Sequence, residues 1–135
     1  MNENITVFRS KIAPVEWKSS LDLRYLQMMS KQPDAKVVAA KLAEIEDEMK
    51  RAGLWQEIPL RPEQYEFRQA FAMDTMAFSQ WLQFIFVPRV KEIAASGGQF
   101  PAKSMVGAQA VREFDTQPGA ERLVELLSEF DALFG

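Results

Sequence analysis

The stretch that decides the fold runs from residue 74 to residue 96 and reads DTMAFSQWLQFIFVPRVKEIAAS. With about 100° of rotation per residue, Phe78, Leu82 and Ile85 share one face of a helix, and a second apolar set points away from them. A helix that is apolar on more than one side is buried on more than one side. We therefore predict a central helix over residues 74–96 that is surrounded by other helices or partly covered by another chain.

Signals at both ends bound this helix, and a third lies inside it. The Asp74 side chain is placed to accept a hydrogen bond from the first-turn amides as an N-cap, and Gly97 follows the last helical residue as a stop. Pro88 lacks the amide hydrogen that would bond the Phe84 carbonyl. We therefore predict a kink at the proline rather than a straight helix.

The charge next to the proline has three possible roles. An ideal helical wheel places Arg89 near the middle of the buried face, where a charged residue is seldom found without a partner. The first role is a salt bridge with Asp115 or Asp131 from the later helices. The second is an exposed position, because the kink turns the side chain outward, and the third is binding of an external anion such as a phosphate.

Three further helices flank the central one. Residues 34–52 have apolar residues at three- and four-residue spacing, with Asp34 as N-cap and Gly53 as C-cap. A short helix is predicted over residues 107–114, and a last helix with a wide apolar stripe starts near Pro118. No stretch alternates with a period of two, so we predict an all-α fold, a small four-helix bundle with a Pro-kinked central helix.

The first part of the chain differs from the rest. Apolar residues recur there at helical spacing, at Trp17, Leu21, Tyr25 and Met28. We predict an N-terminal extension with a helical arm over residues 1–33, followed by the helical bundle over residues 34–135.

The residue types that are missing limit the chemistry. The 135 residues include no cysteine and no histidine. Disulfides, thiolate nucleophiles, histidine general bases and zinc sites made of these residues are therefore excluded. We predict no catalytic residues, no cofactor and no metal site, and we expect that the protein is not an enzyme.

Charge and hydropathy narrow the environment. The net charge of −3 argues against a nucleic-acid-binding domain, because such domains carry a basic surplus. The apolar run at residues 5–8 is too short for a signal peptide, and the most apolar window, residues 81–90, is shorter than the roughly 18 residues of a membrane span. We expect a cytoplasmic protein with no membrane partner.

The apolar central helix favours a protein-interaction module whose partner is another protein chain or a second copy. The candidate interaction residues are Trp55, Asp74, Trp81 and Arg89. Two alternatives remain open. One is an accessory protein that binds tRNA directly through Arg89, Lys91 and Lys103, and the other is a bundle that binds a small molecule or anion in a pocket between Trp81 and Arg89.

Short motifs add a resemblance to a known family. They are FAMDTM at 71–76, WLQ at 81–83, PR at 88–89, LW at 54–55, Pro101 and LF at 133–134. In order and spacing these motifs are similar to those of the YqcC-like family of small bacterial proteins, over residues 34–135. The resemblance implies a four-helix bundle of unassigned activity that is associated with tRNA pseudouridine synthase C. It supplies no catalytic residues and implies an accessory protein, with tRNA contacted indirectly at most.

Overall fold

The computed structural model describes residues 32–134, and this part of the chain is helical. Its α-helices are α1 (Ala35–Arg51), α2 (residues 78–96), α3 (Val106–Glu113) and α4 (Glu121–Ala132), and two 3-10 turns lie between α1 and α2, at Pro62–Tyr65 and Ala70–Ala72. No strand occurs within residues 32–134, so the predicted all-α class is confirmed. None of these helices is long and apolar enough to cross a bilayer. Of the predicted N-terminal extension, residues 1–31 lie outside the described part.

The first helix has the ends that its sequence predicts. The Asp34 side chain accepts a hydrogen bond from the Lys36 amide at 2.8 Å, which satisfies one of the free first-turn donors. At the other end Gly53 adopts a φ of 74°, and the Leu54 amide donates to the Met49 carbonyl at 2.8 Å. The buried stripe between these caps is Val38, Leu42, Ile45 and Met49. Both predicted caps of α1 are confirmed.

The second helix changes its winding along its length. It consists of an α-helical turn at Phe78–Trp81, a π-helical turn at Leu82–Phe86 and an α-helical segment at Val87–Ser96. In the π-helical turn the Val87 amide donates to the Leu82 carbonyl, five residues back. Helical backbone continues through the proline, and the π-helical turn lies just before it, where the α-helical ladder loses a donor. The predicted kink at Pro88 stays a prediction.

The predicted N-cap of this helix is wrong. The Asp74 carboxylate accepts hydrogen bonds from the Arg68 amide at 3.0 Å and the Gln69 amide at 3.3 Å, so it closes the loop before the helix. These backbone hydrogen bonds hold the pKa of the Asp74 carboxyl below its ordinary value. The helix begins four residues later than predicted, and its first turn is capped by the Gln80 side chain, which accepts from the Ala77 amide at 2.9 Å.

Helix α2 is buried on two sides, as predicted, but Ile85, which the ideal wheel places with Phe78 and Leu82, lies on the other side, because the π-helical turn changes the winding there. Leu82 and Phe86 belong to the main core, while Phe84 and Ile85 pack on a second, smaller cluster of loop residues. That cluster consists of Leu60, Ala72 and Met76. A loop therefore covers the second face. Among the helices, α4 packs against both α1 and α3, and the last segment of α2 packs against α1.

Candidate interaction cleft

A cleft of about 450 Å³ opens between the second half of α2, the loop that follows it, the start of α3 and the end of α4. Most of the described residues that line it are apolar, and Arg89 and Lys103 are the charged ones among them. We refer to this feature as the cleft. Its volume is within the range of protein sites that bind ligands or partner side chains.

The wall of the cleft is a continuous chain of aromatic rings. The distances between successive ring centroids are 5.6 Å for Trp81–Phe86, 5.1 Å for Phe86–Phe130, 4.9 Å for Phe130–Phe134 and 5.9 Å for Phe134–Phe100. All five residues line the cleft. The second and last of these contacts are edge-on, with interplanar angles of 76°, a geometry that aromatic pairs favour. Helix α2, the loop after it and the end of α4 are thereby joined through one aromatic wall.

The π-helical turn places Arg89 at this cleft. A hydrogen bond that spans five residues adds one residue to the turn, so every later residue is rotated by about 100° from its position on an ideal wheel. As a result Val90 is buried where the ideal wheel places Arg89, and Arg89 is exposed. Arg89 makes no ion pair within residues 32–134. The predicted salt bridge from Arg89 to Asp115 or Asp131 is therefore wrong.

Asp131 has a different task, which the sequence did not reveal. Its carboxylate accepts hydrogen bonds from the Ser104 hydroxyl at 2.6 Å, the Val106 amide at 3.0 Å and the Gly107 amide at 2.8 Å. A residue of α4 thus caps the start of α3, a role that usually falls to a residue just before the helix. This capping contact fixes the loop that carries Lys103 to the end of α4.

The close approach of the α3 and α4 backbones explains why residue 107, next to this cap, is a glycine. A Cβ built on Gly107 would lie 2.6 Å from the Cα of Ser128 and 2.8 Å from its amide nitrogen. Real Cβ atoms do not approach backbone so closely, so α3 and α4 can adopt this separation only with glycine at position 107. The glycine therefore sets how near the start of α3 lies to α4.

The charges at the mouth of the cleft are of one sign. Arg89 and Lys103 are both exposed, and neither makes an ion pair with a described residue. No aspartate or glutamate is among the described lining residues. Lys91, the third cation of the predicted tRNA-binding set, instead pairs with Glu46 at 3.0 Å. The structure thus brings together two of those three cations, in a chain whose net charge is −3.

The four predicted interaction residues do not form one site. Trp81 and Arg89 both line the cleft. Trp55 is half-buried against the main core, with the Lys50 ammonium 5.0 Å from its ring centroid, and Asp74 closes the loop described above. Neither Trp55 nor Asp74 lines the cleft. Within residues 32–134 no group of three metal-ligating side chains occurs, and the predicted absence of catalysis stays a prediction.

Comparison with known proteins assigns the chain to a domain family. Residues 37–133 match the domain family DUF446, which is described as tRNA pseudouridine synthase C. The chain belongs to this family. The family's description thus confirms the association with tRNA pseudouridine synthase C that the motifs implied, as a name and not as an activity. The match includes every described residue that lines the cleft except Phe134.

Two relatives are similar to parts of this chain. A Haemophilus influenzae protein named as uncharacterized is 31% identical over 77 residues, which are 55% of this chain and 73% of that protein. The tRNA pseudouridine synthase C of Pectobacterium carotovorum subsp. carotovorum is 32% identical over 59 residues, which are 44% of this chain but only 16% of that protein. No solved structure matches.

Proposed function

We propose that this DUF446 chain is a non-catalytic interaction module, an accessory to a tRNA pseudouridine synthase that it binds through the cleft. The two proteins would meet in the cytoplasm, where tRNA is modified. The chain would contribute binding surface, and the synthase would contribute the reaction.

One observation carries this proposal. In the Pectobacterium protein the similar segment makes up 16% of a polypeptide that bears the name of the synthase. The name describes the whole polypeptide, and most of it lies outside the similarity. A module that is covalently joined to a larger protein in one organism commonly binds that protein as a separate chain in another. The small share therefore favours an accessory part over the catalytic one.

The residue inventory supports the same conclusion. The chain has no histidine and no cysteine, the residue types that most often act as general base and nucleophile. Several described carboxylates have structural contacts. Asp131 caps α3, Asp74 closes a loop and Glu46 forms an ion pair with Lys91. The cleft itself is lined by apolar groups and cations, and neither an aspartate nor a glutamate is among its described lining residues.

A second candidate uses the same cleft. Its volume of about 450 Å³ and its position between Trp81 and Arg89 correspond to the pocket predicted for a small molecule or anion. Binding of such a ligand would not require any protein partner. The two candidates therefore differ in whether the purified synthase is bound.

Sedimentation velocity with two purified proteins tests the proposal. The full chain is mixed with the tRNA pseudouridine synthase C encoded in the same genome, and a faster species that contains both proteins is expected at micromolar concentration. In a parallel assay with unmodified tRNA, the chain alone is expected to form no pseudouridine. Separate sedimentation of the two proteins at all concentrations would contradict the proposal, as would pseudouridine formed by the chain alone.

A further inference from the structure

The cleft combines an apolar wall with a positively charged mouth. Its wall is the aromatic chain from Trp81 to Phe100, and its mouth has two cations that no described carboxylate neutralises. An apolar wall favours an apolar side chain, and a mouth of one charge sign favours an occupant of the opposite sign. The chemistry of the cleft therefore selects an apolar group that is accompanied by negative charge.

The apolar surface extends beyond the cleft. Met105 is 61% exposed and lines both the cleft and a neighbouring depression of about 290 Å³, which also includes Phe71 and Arg112. No aspartate or glutamate is among the described residues of this depression either. The two depressions therefore meet at an exposed methionine. A surface that continues from one depression into the next suits a peptide segment, and flexible methionine side chains adapt to such a segment.

A protein segment fits this surface better than RNA does. Unstacked bases bind to proteins by stacking on open aromatic faces. The Trp81 ring is already stacked on Phe78 at 5.7 Å and on Phe86 at 5.6 Å, with interplanar angles of 13° and 28°. The contacts of the remaining rings are edge-on or tilted, with interplanar angles of 76° for Phe86–Phe130 and 42° for Phe130–Phe134. The stacking surface of Trp81 is thus engaged within this chain, whereas apolar side chains can still pack on the edges of the wall's rings.

We propose that the cleft binds an acidic amphipathic segment of the synthase partner. Aromatic or aliphatic side chains of that segment lie on the ring chain and across Met105, and its carboxylates lie beside Arg89 and Lys103. This inference rests on the proposed function and adds to it the chemistry of the partner's segment.

Charge reversal at the mouth tests the inference. In the double variant Arg89→Glu/Lys103→Glu, the affinity of the full chain for the synthase is expected to fall about tenfold or more, because acidic groups would then face acidic groups. The matched control is Lys36→Glu/Arg68→Glu, which makes the same change of charge at two exposed cations outside both depressions. The control is expected to bind within about twofold of the natural chain.

A second measurement does not depend on the synthase. Two synthetic amphipathic peptides share the same Leu and Phe residues and have either Glu or Lys at every polar position. The natural chain is expected to bind the Glu peptide more tightly than the Lys peptide, measured by fluorescence anisotropy. The double variant Arg89→Glu/Lys103→Glu is expected to reverse this preference, and the control is expected to keep it.

The possible results separate the two proposals. If the synthase binds and the cleft variant binds equally well, the proposed function stands and the cleft assignment is overturned. If the synthase does not bind but the Glu peptide binds through Arg89 and Lys103, the partner is wrong and the cleft chemistry holds. Failure of both would overturn both proposals. A tRNA gel shift that only the cleft variant loses would assign these cations to RNA and overturn the inference.

Discussion

Cations among the described residues differ in whether they have a carboxylate partner. The first group, with its carboxylates, is named the paired-charge face: Lys41 pairs with Glu129 and Lys91 with Glu46 between helices, whereas Lys50 and Arg122 pair within their own helices. Its residues are Lys41, Glu44, Glu46, Lys50, Lys91, Arg122, Glu125 and Glu129. At the cleft, Arg89 and Lys103 have no such partner within the described residues. Arg89 and Lys91 are only two residues apart on α2, so the difference comes from the direction in which each side chain points. One cation joins two helices, and the other is available to a second molecule.

Two carboxylates of the paired-charge face, Glu46 and Glu129, have lowered pKa values. Burial raises the pKa of the Glu46 carboxyl, but hydrogen bonds from Lys91 and Lys50 outweigh burial and hold that pKa below its ordinary value. A hydrogen bond from Lys41 likewise lowers the pKa of the Glu129 carboxyl, and the same contact raises the pKa of the Lys41 ammonium. These shifts mean that the ion pairs stabilise the folded chain.

The largest effect is expected at the aromatic wall. Phe130 is 2% exposed and contacts Phe86 on one side and Phe134 on the other. We expect Phe130→Ala to lower the free energy of unfolding by about 3–5 kcal/mol, measured by urea denaturation. Met105→Ala, at the exposed rim, should lower it by less than about 0.5 kcal/mol. Equal losses of unfolding free energy for Phe130→Ala and Met105→Ala would contradict the distinction between a buried wall and an exposed rim.

The next effect is expected where α3 approaches α4. Gly107→Ala places a methyl group against the Ser128 backbone, so the helices must separate, at a cost of about 1–3 kcal/mol in urea denaturation. Gly98→Ala is the control, since its added Cβ meets the Ser96 hydroxyl at 3.3 Å and no backbone atom closer than 3.9 Å. An unchanged denaturation midpoint for Gly107→Ala would contradict the close approach of the α3 and α4 backbones at this glycine.

A smaller effect is expected on the paired-charge face, and it depends on pH. Glu46→Gln removes the contacts with Lys50 and Lys91, and we expect a loss of about 0.5–1 kcal/mol at neutral pH. Because the folded-state pKa of Glu46 is lowered, this stabilisation is present above the unfolded-state pKa of about 4.3 and is lost as the pH falls through the folded-state value. Thermal unfolding between neutral and acidic pH measures it. Glu57→Gln, at an exposed position outside these contacts, is the control for the loss of one charge.

The smallest effect is expected from the cleft cation. Arg89→Gln removes no ion pair with a described residue, so the free energy of unfolding should change by less than about 0.5 kcal/mol. Lys91→Gln, two residues along the same helix, should cost more because it breaks the contact with Glu46. Chemical denaturation of the two variants in parallel gives the comparison. A larger loss for Arg89→Gln would mean that this cation supports the fold, which contradicts a binding role.

The features that follow from neighbouring residues were predictable. The caps of α1 depend on Asp34 and Gly53, and both signals lie within a few residues of the groups they satisfy. The short helix α3 is displaced from its predicted range by one residue at each end. Helix α4 begins three residues after the predicted start at Pro118, because Gly119, with a φ of 84°, extends the turn before it.

The features that depend on distant residues were not predictable. The cap of α3 comes from Asp131, which is 24 residues beyond the Gly107 amide that it binds. The position of Arg89 follows from one added residue in the π-helical turn, which an ideal wheel does not contain. Two of the four predicted interaction residues, Trp81 and Arg89, line the cleft, but the direction of the Arg89 side chain could not be predicted. Phe130 and Phe134 belong to the predicted apolar stripe of the last helix, and no sequence signal singled out Phe100, because the contacts among these rings require the folded chain.

The aromatic chain has a consequence for the rate and cost of binding. Each ring in it is held by at least one other ring, so the wall of the cleft is rigid before any partner arrives. A preorganised surface loses little side-chain entropy on association, and its encounter with a partner does not wait for rearrangement. The conformational cost of complex formation then falls on the partner's segment, which must fold against a surface that is already in place.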